Sequence, residues 1–120
     1  MRQLMIPFEL STNLTHTWFF DLDGTILKHN GLWEDGQDSL LPGVKKLWST
    51  IPIDDVIVIT TARRPMYKEA TARFLLDNHI RYDHLLFGIG HGERIAVNDE
   101  KPYGLQTAIA WNVKRNAGFQ

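Results

Sequence analysis

Four short apolar runs constrain the fold of this chain more than any other feature. They read TWFFD, DVIVITT, DHLLFG and RIAVND, and they end at Asp21, Thr61, Gly88 and Asp99. Each run is almost continuously apolar instead of alternating, which is typical of parallel strands that are buried on both faces. The runs are short enough for strands, so the sequence predicts a central sheet that is mostly parallel.

Helical patterns lie between or after some of these runs. Val44, Leu47, Trp48 and Ile51 recur at helical spacing behind LPG, and Leu105, Ala108, Ile109 and Val113 do so behind KPYG. Pro65 suits the first turn of a further helix. The third and fourth runs are joined only by IGHGE, which is too short for a helix. The alternation predicts an α/β fold, a three-layer Rossmann-like sandwich.

The length bounds the domain organisation. The chain has 120 residues, of which 43% are hydrophobic, and this suits one domain with a core of its own over residues 1–120. Residues 1–16 carry one apolar patch, and we expect an N-terminal extension or an edge strand there. Residues 28–39 form a polar loop punctuated by glycine, which we expect to be mobile.

Charge and cysteine content exclude several classes of function. The net charge of −1 argues against nucleic-acid and membrane partners. Cysteine is absent, so there is no disulfide framework, thiolate nucleophile or thiolate metal site. The Met1 end lacks the pattern of a secretion signal, and no apolar run reaches the length of a membrane span. We therefore expect a cytoplasmic protein.

Polar side chains cluster where three of the predicted strands end. Ligands of open α/β sheets bind beyond the carboxyl ends of the strands. Asp21 and Asp23 follow the first run, and Asp99 closes the fourth. Clustered carboxylates stay ionised together only when a cation is bound, and hard oxygen ligands favour Mg²⁺. The pattern predicts phosphate chemistry, in which one aspartate attacks phosphorus and the other transfers protons.

Each of these elements has a simpler interpretation when it is taken alone. A single D-x-D pair is more often a pair of turn carboxylates, and Thr61 alone is more often a strand-end or capping hydroxyl. Asn98 beside Asp99 is more often part of a turn. The conjunction favours function, because each polar element ends a different apolar run in an order that can share one edge of a sheet.

The motifs resemble those of the haloacid dehalogenase-like phosphohydrolase superfamily. DLDGTI resembles its first motif, VIVITTAR its second and RIAVND its fourth, and these cover residues 18–102 in the family order. The resemblance implies that Asp21 is the nucleophile and that Asp23 is the general acid and base. It also implies hydrolysis of phosphomonoesters, because superfamily phosphatases carry an aspartate two residues after the nucleophile.

The resemblance also implies ligands for phosphate and metal. Thr61 would hold the transferring phosphoryl group, with Thr60 as the alternative. The phosphate-binding set that we predict is Gly24, Thr25, Thr61, Arg63 and Lys101, and the Mg²⁺ set is Asp21, Asp23, Asn98 and Asp99. In the metal set, Asp23 would contribute its backbone carbonyl as well.

Two positions depart from the family pattern. Ile89 stands where the third motif of small relatives has lysine, and the candidates for the replacement cation are Arg63, Lys68, His91, Arg94 and Lys101. We expect Arg94 at the far end of its strand, away from the site. Asn98 stands where the family often has the first of two acids, so one negative charge is lost. The attraction of such a charge to an ion 4 Å away is about 4 kcal/mol at an effective dielectric of 20.

The spacing between motifs leaves no room for the cap domain that family members usually carry. We therefore expect an open site, and Trp33 is a candidate lid or interface anchor. The leading hypothesis is a capless Mg²⁺-dependent phosphatase that forms a phospho-aspartate, is a homo-oligomer and acts on a phosphorylated small molecule such as a sugar phosphate. The alternatives are a lapsed domain that binds a phosphorylated ligand or a protein partner, and a phosphatase of polynucleotide ends.

Overall fold

Three strands and three helices make up the regular structure of the computed structural model, which describes residues 6–119. The strands are β1 (Thr17–Asp21), β2 (Val56–Thr60) and β3 (His84–Leu86). The helices are α1 (Gly31–Glu34), α2 (Val44–Thr50) and α3 (Lys68–Asp77). A 3-10 turn at Pro65–Tyr67 leads into α3, as the position of the proline predicts.

The strands form one parallel sheet in the order β1-β2-β3. The register pairs Phe19 with Val58 and Asp21 with Thr60. Because the strands are parallel, the carboxyl ends of β1 and β2 lie at the same edge of the sheet. The α/β class and the parallel sheet predicted from the first three apolar runs are confirmed.

One face of the sheet carries the hydrophobic core. Trp18 and Phe20 of β1 share this face with Ile57 and Ile59 of β2, and all four side chains are buried. The ring of Trp48 in α2 lies 4.3 Å from that of Phe20, and Leu75 of α3 joins the same cluster. On the opposite face, the side chain of Phe19 is 74% exposed.

A buried carboxylate fixes the amino end of β1. Asp55 is 4% exposed and accepts hydrogen bonds from the Trp18 indole N–H and the His16 backbone N–H, both at 3.0 Å. A buried carboxylate without partners would cost several kcal/mol, or about 20 kcal/mol in the limit of a dry interior. Both oxygens of Asp55 are satisfied here, so the residue connects the start of β1 to the turn before β2.

The fourth predicted strand and the last predicted helix are absent from residues 6–119, so both predictions are wrong. Residues 94–99 have no regular structure and are all exposed. Only seven residues separate β3 from Arg94, whereas a return to a parallel strand needs about a dozen. Residues 105–113 form no helix, and Trp111 and Val113 alternate with exposed neighbours, which is the period of extended chain.

The segment that follows this exposed region packs back against the core. The ring of Phe119 lies 6.3 Å from Phe20 and 5.3 Å from Trp111, in edge-to-face arrangements. Gly43 has a φ of +78°, and a Cβ there would lie 1.5 Å from the carbonyl oxygen of Phe119. Only glycine allows this approach.

Residues 6–16 contain no strand, and Ile6, Phe8 and Leu10 pack against the edge of the core. Phe8 makes an edge-to-face contact with Trp111 at 5.7 Å. Of the extension or edge strand predicted for residues 1–16, the first five residues lie outside the described part. Across residues 6–119, no helix has the length and apolarity needed to cross a membrane.

Candidate functional site

Asp21 and Asp23 lie at the carboxyl edge of the sheet, where β1 turns. Asp21 is the last residue of β1, and its side chain is 45% exposed. Gly24 has a φ of +86° and donates its N–H to the Leu27 carbonyl at 2.7 Å, which closes the turn. Glycine adopts this conformation without strain. The turn therefore keeps both carboxylates at one edge.

The end of β2 contributes Thr61 to the same place. Its hydroxyl donates to Asp23 Oδ2 at 2.7 Å and accepts the backbone N–H of Arg63 at 3.1 Å. Thr60 points elsewhere, because its hydroxyl donates to the Phe20 carbonyl at 3.4 Å. Thr61 is therefore the threonine that contacts the carboxylate pair, although its side chain is fully buried and its hydroxyl is already used.

Arg63 is a buried cation that joins two carboxylates. Its guanidinium lies 2.9 Å from Asp23 Oδ1 and 2.7 Å from Asp38 Oδ1, and it donates to the Thr71 hydroxyl at 2.9 Å. Burial acts to lower the pKa of Arg63, but the hydrogen bonds and charges of Asp38 and Asp23 more than offset it and raise the pKa above its usual value. Arg63 stays charged, and its planar fork holds Asp23 in one orientation.

The loop of residues 28–39 is attached to the site through this arginine. Asp38 is 9% exposed and belongs to that loop, as does Trp33. The Trp33 ring lies 5.6 Å from the guanidinium carbon of Arg63 and meets Tyr67 edge to face at 5.5 Å. The loop contains helix α1, and Trp33 remains 54% exposed beside the carboxylate pair.

The carboxylate of Asp21 faces a different set of groups. Arg94 places Nη2 3.3 Å from Asp21 Oδ1, and the Thr25 hydroxyl lies 3.5 Å from Oδ2. Desolvation by burial raises the pKa of Asp21, Arg94 opposes that rise, and the nearby charge of Asp23 adds to it. The net direction is upward, so the ionised form of Asp21 costs free energy in the folded protein.

This pKa shift gives a testable dependence of stability on pH. Between the ordinary value of 3.8 and the higher folded value, the native state holds the Asp21 proton longer than the unfolded state. Stability of the wild type therefore falls as pH rises through that window. We expect Asp21→Asn to unfold at higher denaturant concentration than the wild type at pH 7, with the difference vanishing below pH 3.8.

Chemical denaturation across this pH range measures the effect. Asp54→Asn, at an exposed position, is the matched control and should follow the wild type. A gain in stability that is the same at every pH would contradict the assignment to the Asp21 charge.

The position of Arg94 corrects the sequence-based expectation that it would lie at the far end of the sheet. The segment that contains it does not form a strand, so nothing carries it away from the carboxyl edge. Its guanidinium also donates to the carbonyls of Gly90 at 2.8 Å and Gly92 at 3.1 Å. These contacts orient the cation toward Asp21.

Three predicted site residues are not brought to the carboxylates. Asn98 donates its side-chain amide to the Thr107 hydroxyl at 2.7 Å, and that hydroxyl donates to the Asp99 backbone carbonyl at 2.6 Å. Lys101 forms a turn with Leu105. Within residues 6–119, no group of three or more His, Cys, Asp or Glu side chains is close enough to hold a metal ion.

Sequence reasoning missed three residues at or beside the site. Nothing in the sequence marked Asp38 as a site residue, because a single aspartate in a polar loop is common. Arg115 lies against the turn after β1, since its Cγ would be 3.2 Å from a Cβ at Gly24. Asn116 donates its backbone N–H to the Gly24 carbonyl at 2.9 Å. These contacts join residues more than 90 positions apart, which periodicity cannot detect.

Comparison with protein-family models, with curated proteins and with solved structures finds no match to this chain.

Proposed function

We propose that this protein is a Mg²⁺-dependent phosphomonoester hydrolase that acts through a phospho-aspartate at Asp21. The observation that carries the proposal is the junction of two parallel strand ends. There Asp21 is accessible and faces Arg94, while Asp23 is held by Thr61 and Arg63. The Asp21 carboxylate is accessible for attack and the Asp23 carboxylate is held in one orientation. Nucleophilic catalysis needs the first property and acid–base catalysis needs the second.

The reaction has two steps. An Asp21 carboxylate oxygen attacks phosphorus, and the bond between phosphorus and the leaving oxygen breaks as Asp23, which enters this step in its protonated form, delivers its proton to that oxygen. Asp23 then removes a proton from water, which attacks the phosphorus of the acyl-phosphate. The bond between Asp21 and phosphorus breaks, inorganic phosphate leaves, and both carboxylates return to their starting states.

Other side chains position these groups. Arg94 lies at the nucleophile and would contact phosphoryl oxygens, with Thr25 on the other side of the carboxylate. Thr61 and Arg63 are already occupied by Asp23, so in this arrangement they orient the acid and base instead of binding phosphate.

The arrangement within one chain does not complete a magnesium site. Among residues 6–119, only Asp21 and Asp23 supply carboxylates at this edge, and Asp23 is paired with Arg63. Mg²⁺ prefers octahedral oxygen coordination and is usually held by carboxylates together with substrate phosphate and water. The dependence on Mg²⁺ is therefore part of the proposal.

Hydrolysis of an aryl phosphate with and without Mg²⁺ tests the proposal. We expect release of the phenol that needs millimolar Mg²⁺ and stops with EDTA. We also expect Mg²⁺ to raise the melting temperature, because an ion that binds only the folded state stabilises it. Ca²⁺ is the control cation. Hydrolysis that continues in EDTA would contradict the dependence on Mg²⁺. The absence of hydrolysis under every condition would contradict the proposed phosphatase activity.

A binding module is the rival function, and one observation favours it. Arg94 pairs with Asp21, and the described chain assembles no three-acid group, so a lapsed site could still hold a phosphorylated ligand through its cations. Such a module would bind inorganic phosphate or a phosphorylated partner without turning it over. The net charge of −1 disfavours polynucleotide ends.

The substrate class follows from access to the site. The Asp21 side chain is 45% exposed, and the exposed Trp33 ring lies 5.6 Å from the Arg63 guanidinium that binds Asp23, so the site suits a phosphate carried on a ring that can lie against an aromatic face. We therefore propose a sugar phosphate, to be tested by a panel of phosphorylated metabolites. The cytoplasmic location and the absence of a cap stay predictions.

A further inference from the structure

We infer that a second copy of this chain adds residues 94–99 as a strand beside β1, and that its Asp99 completes the carboxylate cluster at Asp21. The association itself stands on the geometry described below. The role of Asp99 rests on the proposed function. We call residues 94–110 the arm.

The sheet has a free edge and an uncovered face. β1 is an edge strand, and in the described chain it pairs only with β2. His16 and Leu22 make their backbone bonds to β2, so the alternation along a strand directs the N–H and C=O groups of Thr17, Phe19 and Asp21 outward. The Phe19 side chain is 74% exposed on the face opposite the core. Such an edge is a template for another strand.

The arm has the complementary properties. Ile95 is 85% exposed and Val97 is 89% exposed, and both lie on an extended segment without regular structure. Apolar side chains that lie together at the surface often mark a contact with another protein chain. The same chain therefore presents an unpaired strand edge and an unpaired apolar segment.

The connection between β3 and the arm prevents the arm from filling its own edge in a parallel direction. Residues 87–93 link β3 to Arg94, and a parallel return needs about a dozen residues. Arg94 also lies at the carboxyl end of its own β1, 3.3 Å from Asp21, whereas a parallel strand that ends beside Asp21 would have to begin near Thr17. A second copy has no such constraint.

Side-chain matching selects the direction. If the partner segment runs parallel to β1 with Val97 beside Phe19, then Ile95 lies beside Thr17 and Asp99 beside Asp21. Apolar groups then continue the row formed by Phe19 and Val58, and the acids gather at the carboxyl edge.

The antiparallel alternative, with the same central pair, would put Ile95 beside Asp21 and Asp99 beside Thr17. It would put the apolar Ile95 beside the Asp21 carboxylate instead of in the row of Thr17 and Val56, so the parallel direction is the better match. A two-fold axis makes the exchange reciprocal, because each copy both gives an arm and receives one.

Engineered cysteines test the association directly, since the chain contains none. We expect a mixture of Phe19→Cys and Val97→Cys to form a disulfide-linked dimer under mild oxidation. Met66→Cys replaces Phe19→Cys in the control mixture, because Met66 is also 74% exposed. No dimer above this control would overturn the proposal, and so would a Phe19→Cys, Val97→Cys double variant whose disulfide closes within one chain.

Complementation tests the contribution of Asp99. Asp21→Asn and Asp99→Asn should each be inactive alone, and a refolded equal mixture should regain about one quarter of wild-type phosphate release, because half the dimers are mixed and each has one intact site. An active wild type with no recovery would overturn the shared site. An inactive wild type that still forms the Phe19–Val97 cross-link would instead contradict the proposed function and leave the association standing.

Discussion

We expect Asp21→Asn to lower phosphate release by at least about 10³-fold at saturating substrate, because in the proposed mechanism the amide lacks the charge that attacks phosphorus. The substitution keeps the shape of a side chain at the end of β1 and leaves the Asp23 network untouched. Steady-state assays with an aryl phosphate measure the loss. Circular dichroism and the denaturant midpoint show whether the variant remains folded.

Asp23→Asn is the matched comparison at the same edge. We expect it to form phospho-enzyme slowly and to hydrolyse it poorly, so labelled protein should accumulate when the substrate has a good leaving group. Alkyl phosphates, which need protonation of the leaving oxygen, should lose more activity than aryl phosphates. Near wild-type turnover in Asp21→Asn would contradict both the covalent mechanism and the assignment of the first motif.

Asp38→Asn should destabilise the fold by about 3 kcal/mol, the cost of removing one partner from a buried ion pair. The Arg63 guanidinium, with only 2% of its side chain exposed, would keep its charge and lose its closest acceptor, at 2.7 Å. Urea denaturation measures the change in the free energy of unfolding. The same loop supplies a control in Asp35, whose pair with Lys28 lies at the surface, and Asp35→Asn should unfold almost like the wild type.

The catalytic readout separates orientation from stability. If Arg63 holds Asp23, then Asp38→Asn should slow alkyl phosphates more than aryl phosphates at a temperature where the variant is fully folded. An equal loss of activity on alkyl and aryl phosphates would mean that the Arg63–Asp38 pair only stabilises the fold. An unchanged free energy of unfolding would contradict the buried pair itself.

Local sequence patterns predicted the first two-thirds of the fold well. The runs that end at Asp21, Thr61 and Gly88 contain the three observed strands, and the helices behind LPG and Pro65 are present. These segments succeed because consecutive β-α units need only neighbouring contacts. The prediction of a strand at RIAVND failed because a segment forms a strand only beside a partner strand. The link before Arg94 is too short to bring this segment alongside β1 in a parallel direction.

Some residues of the candidate site could likewise be predicted from local patterns, and others could not. That Asp21, Asp23 and Thr61 would lie together followed from strand ends that share one edge. Asp38 and Arg94 reach the carboxylates through loops, whose paths are set by individual ion pairs instead of by periodicity. Arg63, predicted as a phosphate ligand, is only 6% exposed, and two carboxylates compensate its charge.

The packing of Phe119 against Phe20 has a consequence for how the chain reaches its native state. The contact closes a loop that spans most of the sequence, and Trp111 and Phe8 complete the same aromatic cluster. The entropy cost of closing so long a loop comes before the stabilisation from burying the aromatic rings. Folding is therefore slower than in proteins built from local contacts. We therefore expect the β-α units to collapse first, with one side of the core still exposed to water, and the return of residues 111–119 to be the slow step of folding.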